Sequence, residues 1–196
     1  VPVGLLDLGV DMISLASHKV YGPKGVGALV LREGVAVGNL MFGANRENGR
    51  RPGTENVLEI VGLGQACALI AEDLPEEMVH LAGLRDQLQE ILLSAHPGAR
   101  VNGHPTKRLP NTLSISFPGR VAGEILEHLP DVAVSAGAAC HSEGVHISHV
   151  LTAMGVPVEY ALGTLRLSVG RMTRPEDVTE GAARVSRAVT AAPDHS

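Results

Sequence analysis

The chain has 196 residues, of which 44% are hydrophobic and only 2% aromatic, so its core must consist of Leu, Val, Ile and Ala. Its net charge of −5 argues against a nucleic-acid-binding protein, which normally has a basic face, and no apolar run approaches the ~20 residues that span a bilayer. Two cysteines are too few for a disulfide framework and no signal-peptide pattern stands at the start, so we expect a cytoplasmic setting.

The first part of the chain predicts two strands, a loop and two helices. Residues 11–16 and 27–34 are short apolar runs, typical of strands. Residues 43–53 are polar and glycine-rich and predict a loop. The apolar pattern after Thr54 predicts a buried helix, and Pro75 with the two acidic residues after it predicts the start of a second helix.

The second part alternates strands with helices. Strands are predicted at 111–117, 132–137 and 164–170, and helices at 121–129, at 147–155 and after a capping box formed by Thr173 and Glu176. This alternation indicates an α/β unit. A change of pattern near Leu74 predicts two domains, 1–74 and 75–196.

Two lysines stand close together in the stretch SLASHKVYGPKG. A phosphate-binding P-loop is excluded because no Ser or Thr follows Lys24 and a strand rather than a helix comes next. Lys24 therefore belongs to the turn that Gly22 and Pro23 predict. Lys19 follows an apolar strand, where α/β enzymes place catalytic groups, and a desolvated lysine is a nucleophile. With His18 beside it, the pattern suits a cofactor that has both an aldehyde and a phosphate, such as pyridoxal phosphate.

The two cysteines stand in opposite contexts. Cys67 lies within an apolar helical pattern, where cysteine acts as a small hydrophobe. Cys140 lies in a small-residue, polar stretch that predicts a loop with an exposed, nucleophilic thiol. A zinc site with His141, His146 and His149 is an alternative, although the spacing matches no common zinc pattern and we predict no metal.

Arginines mark two further candidate sites. Arg46, Arg50 and Arg51 form either a solvated face or an anion site, with Thr54 capping the following helix and offering its hydroxyl. Arg166 is one charge within an alternating strand. It is either an edge residue or a guanidinium fork for a carboxylate.

Four segments, SLASHKVYGPKGVGALVLREG, ENGRRPGTEN, SAGAACHSE and LRLSVGR, together resemble the cysteine desulfurases, a class-V aminotransferase-like family, in the family's own order. The resemblance implies a fold-type I transferase dependent on pyridoxal phosphate. It implies that residues 1–74 are the end of the large cofactor-binding domain and that residues 75–196 are the small C-terminal α/β domain carrying the cysteine loop. The chain begins at Val1 without Met, and we expect it to be the C-terminal piece of a longer protein.

The resemblance also assigns the cofactor-binding residues. It implies that Lys19 forms the Schiff base with pyridoxal phosphate and that His18 contacts the phosphate. Many members have a phosphate-binding serine where this chain has Ala16, and Ser17 is the candidate replacement. The family's threonine that corresponds to Thr54 reaches the phosphate in the other subunit, which implies a homodimer.

For the substrate, the resemblance implies that Arg166 binds the carboxylate of L-cysteine. Cys140 then takes the sulfur as a persulfide, alanine leaves, and an acceptor protein receives the sulfur. An iron–sulfur scaffold protein and a tRNA-thiolation relay are both candidate acceptors. Selenocysteine lyase is an alternative, since GAACHS and LRLSVGR also resemble that family. A non-catalytic module for dimerisation or partner docking is another alternative, because the family's residues that hold the cofactor ring lie upstream.

Overall fold

The computed structural model describes residues 1–141 and 144–195, and the side chains of all of these except 138–141 and 144–146. The chain divides into two compact units, Val1–Leu74 and Pro75–Ser196. Both strands and helices contribute to the structure, so the predicted mixed α/β class is confirmed. None of the helices within the described residues has the length and apolar character needed to cross a membrane.

The first unit is organised around a β-hairpin. After a short helix, α1 (Leu5–Leu8), strand β1 (Met12–Ala16) pairs antiparallel with strand β2 (Gly27–Leu31), and both predicted strands are confirmed. A 3-10 turn over Ser17–Lys19 follows β1 directly. The chain turns here because the Ser17 carbonyl accepts hydrogen bonds from two backbone N–H groups further along, at 3.0 Å each.

A single helix, α2, runs from Val57 to Ala95 and includes Pro75. The prediction of a second helix starting at Pro75 was therefore wrong. Proline has no N–H to donate and is destabilising inside a helix, so the local sequence favours a first turn at Pro75, and the continuous helix departs from that local preference. Thr54 does not cap the helix either, because the first helical bond inside it runs from Ile60 N–H to the carbonyl of Asn56, two residues later.

The second unit contains a four-stranded antiparallel sheet. Its strands, in spatial order, are β3 (Arg100–Val101), β4 (Thr112–Ser116), β8 (Thr164–Ser168) and β5 (Ser135–Ala136). One face of β4 and β8 is apolar and buried, and it carries Leu113, Ile115, Leu165 and Leu167. Successive side chains of a strand alternate in direction, so the polar residues between these positions lie on the opposite face.

Within the described residues, three helices pack against the apolar face of that sheet, and all or part of each belongs to the second unit. The unit contains α3 (Ala122–Glu127), α4 (His149–Ala153), α5 (Val158–Ala161) and α6 (Pro175–Ala191). The core combines leucines of α2 with apolar residues of α3 and α6. The predicted capping box at the start of α6 is shifted by one residue: Asp177 accepts a hydrogen bond from the Arg174 backbone N–H at 2.9 Å, and the Thr173 hydroxyl accepts one from Gly170 within the preceding turn.

A second β-hairpin stands where a loop was predicted. Strand β6 (Ala138–His141) pairs antiparallel with strand β7 (Gly144–Ile147). The small residues of SAGAAC have weak strand propensity, which is why the sequence predicts a loop. Backbone pairing between the two strands overrides that preference.

Candidate functional site

Lys19 and His18 lie side by side in the 3-10 turn that follows β1. Both side chains are exposed. Within the described residues no carboxylate pairs with either of them, so both are available to a ligand. Lys24, five residues further on, is also exposed and lies in the turn between the two strands.

Ser17 is fully buried at the start of the same turn. Its hydroxyl packs against Gly22, where a Cβ would collide with it and would also come within 3.3 Å of the Ala66 Cβ. In the described part of the chain the buried Ser17 Oγ has no hydrogen-bond partner. The hydroxyl therefore faces the interior of the unit, while its two successors in the turn face outwards.

The arginine-rich loop is held by its own ion pairs. Arg51 Nε contacts Glu47 Oε1 at 2.7 Å, and Arg51 Nη1 donates to the carbonyl of Gly53 at 2.8 Å. Arg46 lies 3.9 Å from Glu55. Thr54 follows these ion-paired residues directly and is exposed. None of the described residues forms a hydrogen bond with its side chain. The contacts of Arg51 with Glu47 and Gly53 thus restrain the backbone just before Thr54.

Arg166 lies on the polar face of the antiparallel sheet, between two buried leucines of β8. Two serines flank it in register: Ser135 on β5 and Ser114 on β4. Arg166 Nη2 donates to the Ser135 hydroxyl at 3.1 Å, whereas the Ser114 hydroxyl accepts from the amide of Asn102 at 3.3 Å. Among the described residues no carboxylate pairs with Arg166, so its guanidinium is open to an anionic ligand.

Cys140 lies in β6, directly opposite Val145 of β7. Its side chain, like that of the neighbouring His141, lies outside the described residues. The backbone at the base of the hairpin is well anchored, because Gly137 N–H donates to the Thr164 carbonyl at 2.7 Å and the Gly137 carbonyl accepts from Ser148 N–H at 2.9 Å. The strand that carries Cys140 therefore starts from the same sheet that carries Arg166.

A cavity of about 330 Å³ opens over this polar face. Arg166, Thr164 and Ser148 contribute polar groups to its lining, while Val150 and Met154 contribute apolar ones. A small polar ligand with a carboxylate would fit these dimensions and this chemistry. All the lining residues belong to the second unit.

The residues of the first unit fit part of the binding site for pyridoxal phosphate. The aldehyde needs a lysine that the cofactor can reach and the phosphate needs a cationic or N–H-bearing group, and the turn after β1 offers both through Lys19 and His18. The buried Ser17 hydroxyl does not fit a direct phosphate contact, since it is packed against Gly22. The zinc alternative depends on the side chains of Cys140, His141 and His146, which lie outside the described residues. The side chains that the structure does describe form no group of three or more potential metal ligands.

The hydrogen bond between Ser135 and Arg166 is a feature that sequence reasoning missed. Both residues stand in segments predicted as strands, 132–137 and 164–170. The pairing of these strands, and hence the contact, depends on a register that no local pattern specifies.

The fold and the two sets of polar residues define a class of protein: an α/β protein with a lysine-bearing turn in one unit and an arginine-bearing antiparallel sheet in the other. The family model described as "Aminotransferase class-V" matches residues 1–180. The chain therefore belongs to the class-V aminotransferase family.

The chain is similar to proteins named as cysteine desulfurases. The chain is 45% identical over 181 residues to a protein named "Cysteine desulfurase IscS" from Methanosarcina thermophila, and this match covers 91% of the chain and 44% of the relative. It is 43% identical over 193 residues to a "Cysteine desulfurase" from Bradyrhizobium diazoefficiens, with coverages of 97% and 49%. The chain thus spans about half the length of the curated relatives it matches.

A solved structure shares the fold. The structure titled "NIFS-LIKE PROTEIN" superposes with a TM-score of 0.85 at 34% identity, covering 97% of this chain and 49% of the other. This similarity confirms the predicted fold class, since the superposition includes nearly every residue of the chain.

Proposed function

We propose that the chain is the C-terminal part of a cysteine desulfurase that depends on pyridoxal phosphate and removes sulfur from L-cysteine. In this proposal, residues 1–74 belong to the large cofactor-binding domain and residues 75–196 form the small domain. The observation that supports the proposal most directly is the polar face of the antiparallel sheet in the second unit. There, an arginine without a carboxylate partner among the described residues lies one strand away from β5, the strand that leads to the Cys140 hairpin. Such a face binds a substrate carboxylate close to a nucleophile.

The residues of the first unit hold the cofactor. Lys19 would hold the cofactor through its aldehyde group, and the His18 ring N–H would hold it through its phosphate. The Ser17 side chain, because it is buried, supports the turn rather than the phosphate. When bound, the cofactor withdraws electrons from the α-carbon of the substrate. Lys19 Nζ would accept and return protons at that carbon.

The residues of the second unit handle the substrate. The guanidinium of Arg166 binds the carboxylate of L-cysteine through two N–H groups. The Cys140 thiolate attacks the substrate sulfur, forming an S–S bond as the bond between the substrate's β-carbon and its sulfur breaks. The electron pair of the broken bond stays with the β-carbon, which takes up a proton and leaves as part of alanine. The persulfide on Cys140 then passes its outer sulfur to an acceptor protein.

Thr54 is our candidate for a contact across a homodimer interface. Its exposed hydroxyl and the ion-paired loop before it support that role, with the phosphate of the second subunit's cofactor as the target. A cytoplasmic location stays a prediction from the cysteine content.

The test compares two lysine substitutions in the full-length natural protein. Lys19→Ala should abolish both the Schiff-base absorbance and alanine release from L-cysteine. Lys24→Ala removes another exposed charge, from the neighbouring turn, and should leave both unchanged. Schiff-base absorbance that survives in Lys19→Ala would contradict the assignment.

A third variant separates sulfur from selenium chemistry. Cys140→Ala should keep the Schiff-base absorbance and lose sulfur transfer from L-cysteine. If the variant and the natural protein release selenium from selenocysteine equally well, and neither turns over cysteine, the protein is a selenocysteine lyase. A natural protein that never acquires the absorbance would instead be a non-catalytic module.

A further inference from the structure

We propose that Ser135 is a positioning residue for Arg166: its hydroxyl holds the guanidinium in one orientation and so prepares it for the substrate carboxylate. This inference rests on the proposed function of Arg166. The contact itself is a hydrogen bond of 3.1 Å from Arg166 Nη2 to Ser135 Oγ.

The register of the sheet makes this contact specific. Ser135 and Arg166 stand directly opposite each other on β5 and β8, so their side chains lie on the same face with their Cβ atoms about 5 Å apart. Ser114 stands opposite Arg166 on the other side, but its hydroxyl accepts from the Asn102 amide instead. Of the two flanking serines, Ser135 is thus the one that hydrogen-bonds to the guanidinium.

The guanidinium of Arg166 has enough N–H donors to bind a substrate as well as Ser135. A guanidinium has five N–H donors, and a carboxylate uses two of them. Within the described residues Ser135 is the one hydrogen-bond partner of Arg166. Because an exposed arginine otherwise loses rotamer freedom when it binds a ligand, a partner that already restrains the side chain lowers that entropic penalty.

Ser135 also connects the arginine to the cysteine hairpin. The backbone of β5 pairs with β8, and Gly137, two residues later, donates from its N–H to the Thr164 carbonyl at 2.7 Å. Cys140 follows on β6. The residue that restrains the carboxylate-binding group therefore belongs to the same run of backbone as the sulfur-accepting residue.

The kinetic test uses the full-length natural protein with pyridoxal phosphate. Ser135→Ala should raise KM for L-cysteine about tenfold, equivalent to about 1.4 kcal/mol, with kcat within about twofold of the natural value. Ser135→Thr keeps a hydroxyl on a residue that strands favour and should restore KM. Ser168→Ala makes the same change on an exposed residue of β8 and should leave both constants unchanged.

A second readout is independent of activity and uses the 196-residue chain. In ¹⁵N spectra at low temperature, the Nη groups of Arg166, assigned through Arg166→Lys, should rotate slowly in the natural sequence and in Ser135→Thr. They should rotate fast in Ser135→Ala. Circular dichroism and urea unfolding of each variant report whether the fold is intact.

The outcomes separate the inference from the proposed function. If the natural protein has no desulfurase activity, the proposed function is refuted. The ¹⁵N spectra of the guanidinium then still show whether Ser135 restrains Arg166. Identical Arg166 spectra in the natural chain and in folded Ser135→Ala overturn the inference. A fall in kcat at constant KM also overturns it, since Ser135 would then act in the chemical step. If Ser135→Ala does not fold, fast rotation of Arg166 in the natural chain overturns the inference and slow rotation supports it.

Discussion

Gly137 provides a sharp test of how tightly the base of the cysteine hairpin is packed. A Cβ added at this position would lie 2.7 Å from the Thr164 Cβ, 2.8 Å from its Cγ2 and 2.9 Å from Leu151 Cδ1. Unstrained carbon atoms pack about 3.5–4.0 Å apart. Gly137→Ala should therefore force two buried side chains or the backbone to move.

The surroundings of Gly137 resist that movement. Thr164 Oγ1 hydrogen-bonds to Ser116 Oγ at 2.7 Å and to the Tyr160 carbonyl at 2.9 Å, so the Thr164 side chain cannot rotate without losing both bonds. The Gly137 backbone is held by hydrogen bonds from its N–H and to its carbonyl. Overpacking of this kind costs about 1–3 kcal/mol in the free energy of unfolding.

Urea unfolding of the chain measures this effect, with Gly181→Ala as the matched control. Gly181 lies inside α6, and a Cβ there would meet no atom within 4 Å. The control should stabilise the chain by about 0.5–1 kcal/mol, because alanine is the better helix former. The two glycine-to-alanine changes should thus shift the unfolding midpoint in opposite directions. Equal shifts, or a stabilised Gly137→Ala, would refute the packing argument.

Further predictions concern ion pairs and pH. Arg171 contacts Glu77 Oε2 through Nε at 3.2 Å and through Nη2 at 2.6 Å in a half-buried site, so Glu77→Gln should cost about 1–3 kcal/mol in urea unfolding. Glu180→Gln, which weakens an exposed pair on α6, should cost clearly less than Glu77→Gln, and equal losses would contradict this contrast. Burial lowers the pKa of His96, whose Nε2 is buried without a partner among the described residues. The unfolded state therefore takes up this proton first, and stability should fall as the pH drops below 6.5, a loss that His96→Gln should remove.

Local patterns were enough to predict most of the strands. The alternation in residues 111–117 predicted β4, and the apolar runs at 11–16 and 27–34 predicted β1 and β2. In β4 the buried side chains alternate with polar ones, which is the period of a strand, whereas β1 and β2 were recognised as short apolar runs bounded by turn residues. Strand 132–137 was predicted too long, since only Ser135–Ala136 pairs with β8.

Ends of helices were harder to predict, because the same residues suit several positions. Pro75 by its residue type favours a first turn, but it lies inside α2, where burial of the leucines that follow it favours one continuous helix. Thr54 is a good capping residue by type, but the helix begins at Val57. Thr173 likewise forms a turn instead of the cap. Capping preferences are worth about 1 kcal/mol, which packing easily outweighs.

The sequence alone determined the chemistry that the chain can offer. A lysine beside a histidine after a strand, a cysteine among small residues and an arginine in an alternating strand are all readable because residue type and spacing are local properties. Only the tertiary structure decided which groups meet. It buried the Ser17 hydroxyl against Gly22, paired β5 with β8, and so placed Ser135 against Arg166. The physical reason is that strand register depends on the whole sheet, and a shift of one residue would turn Ser135 to the opposite face.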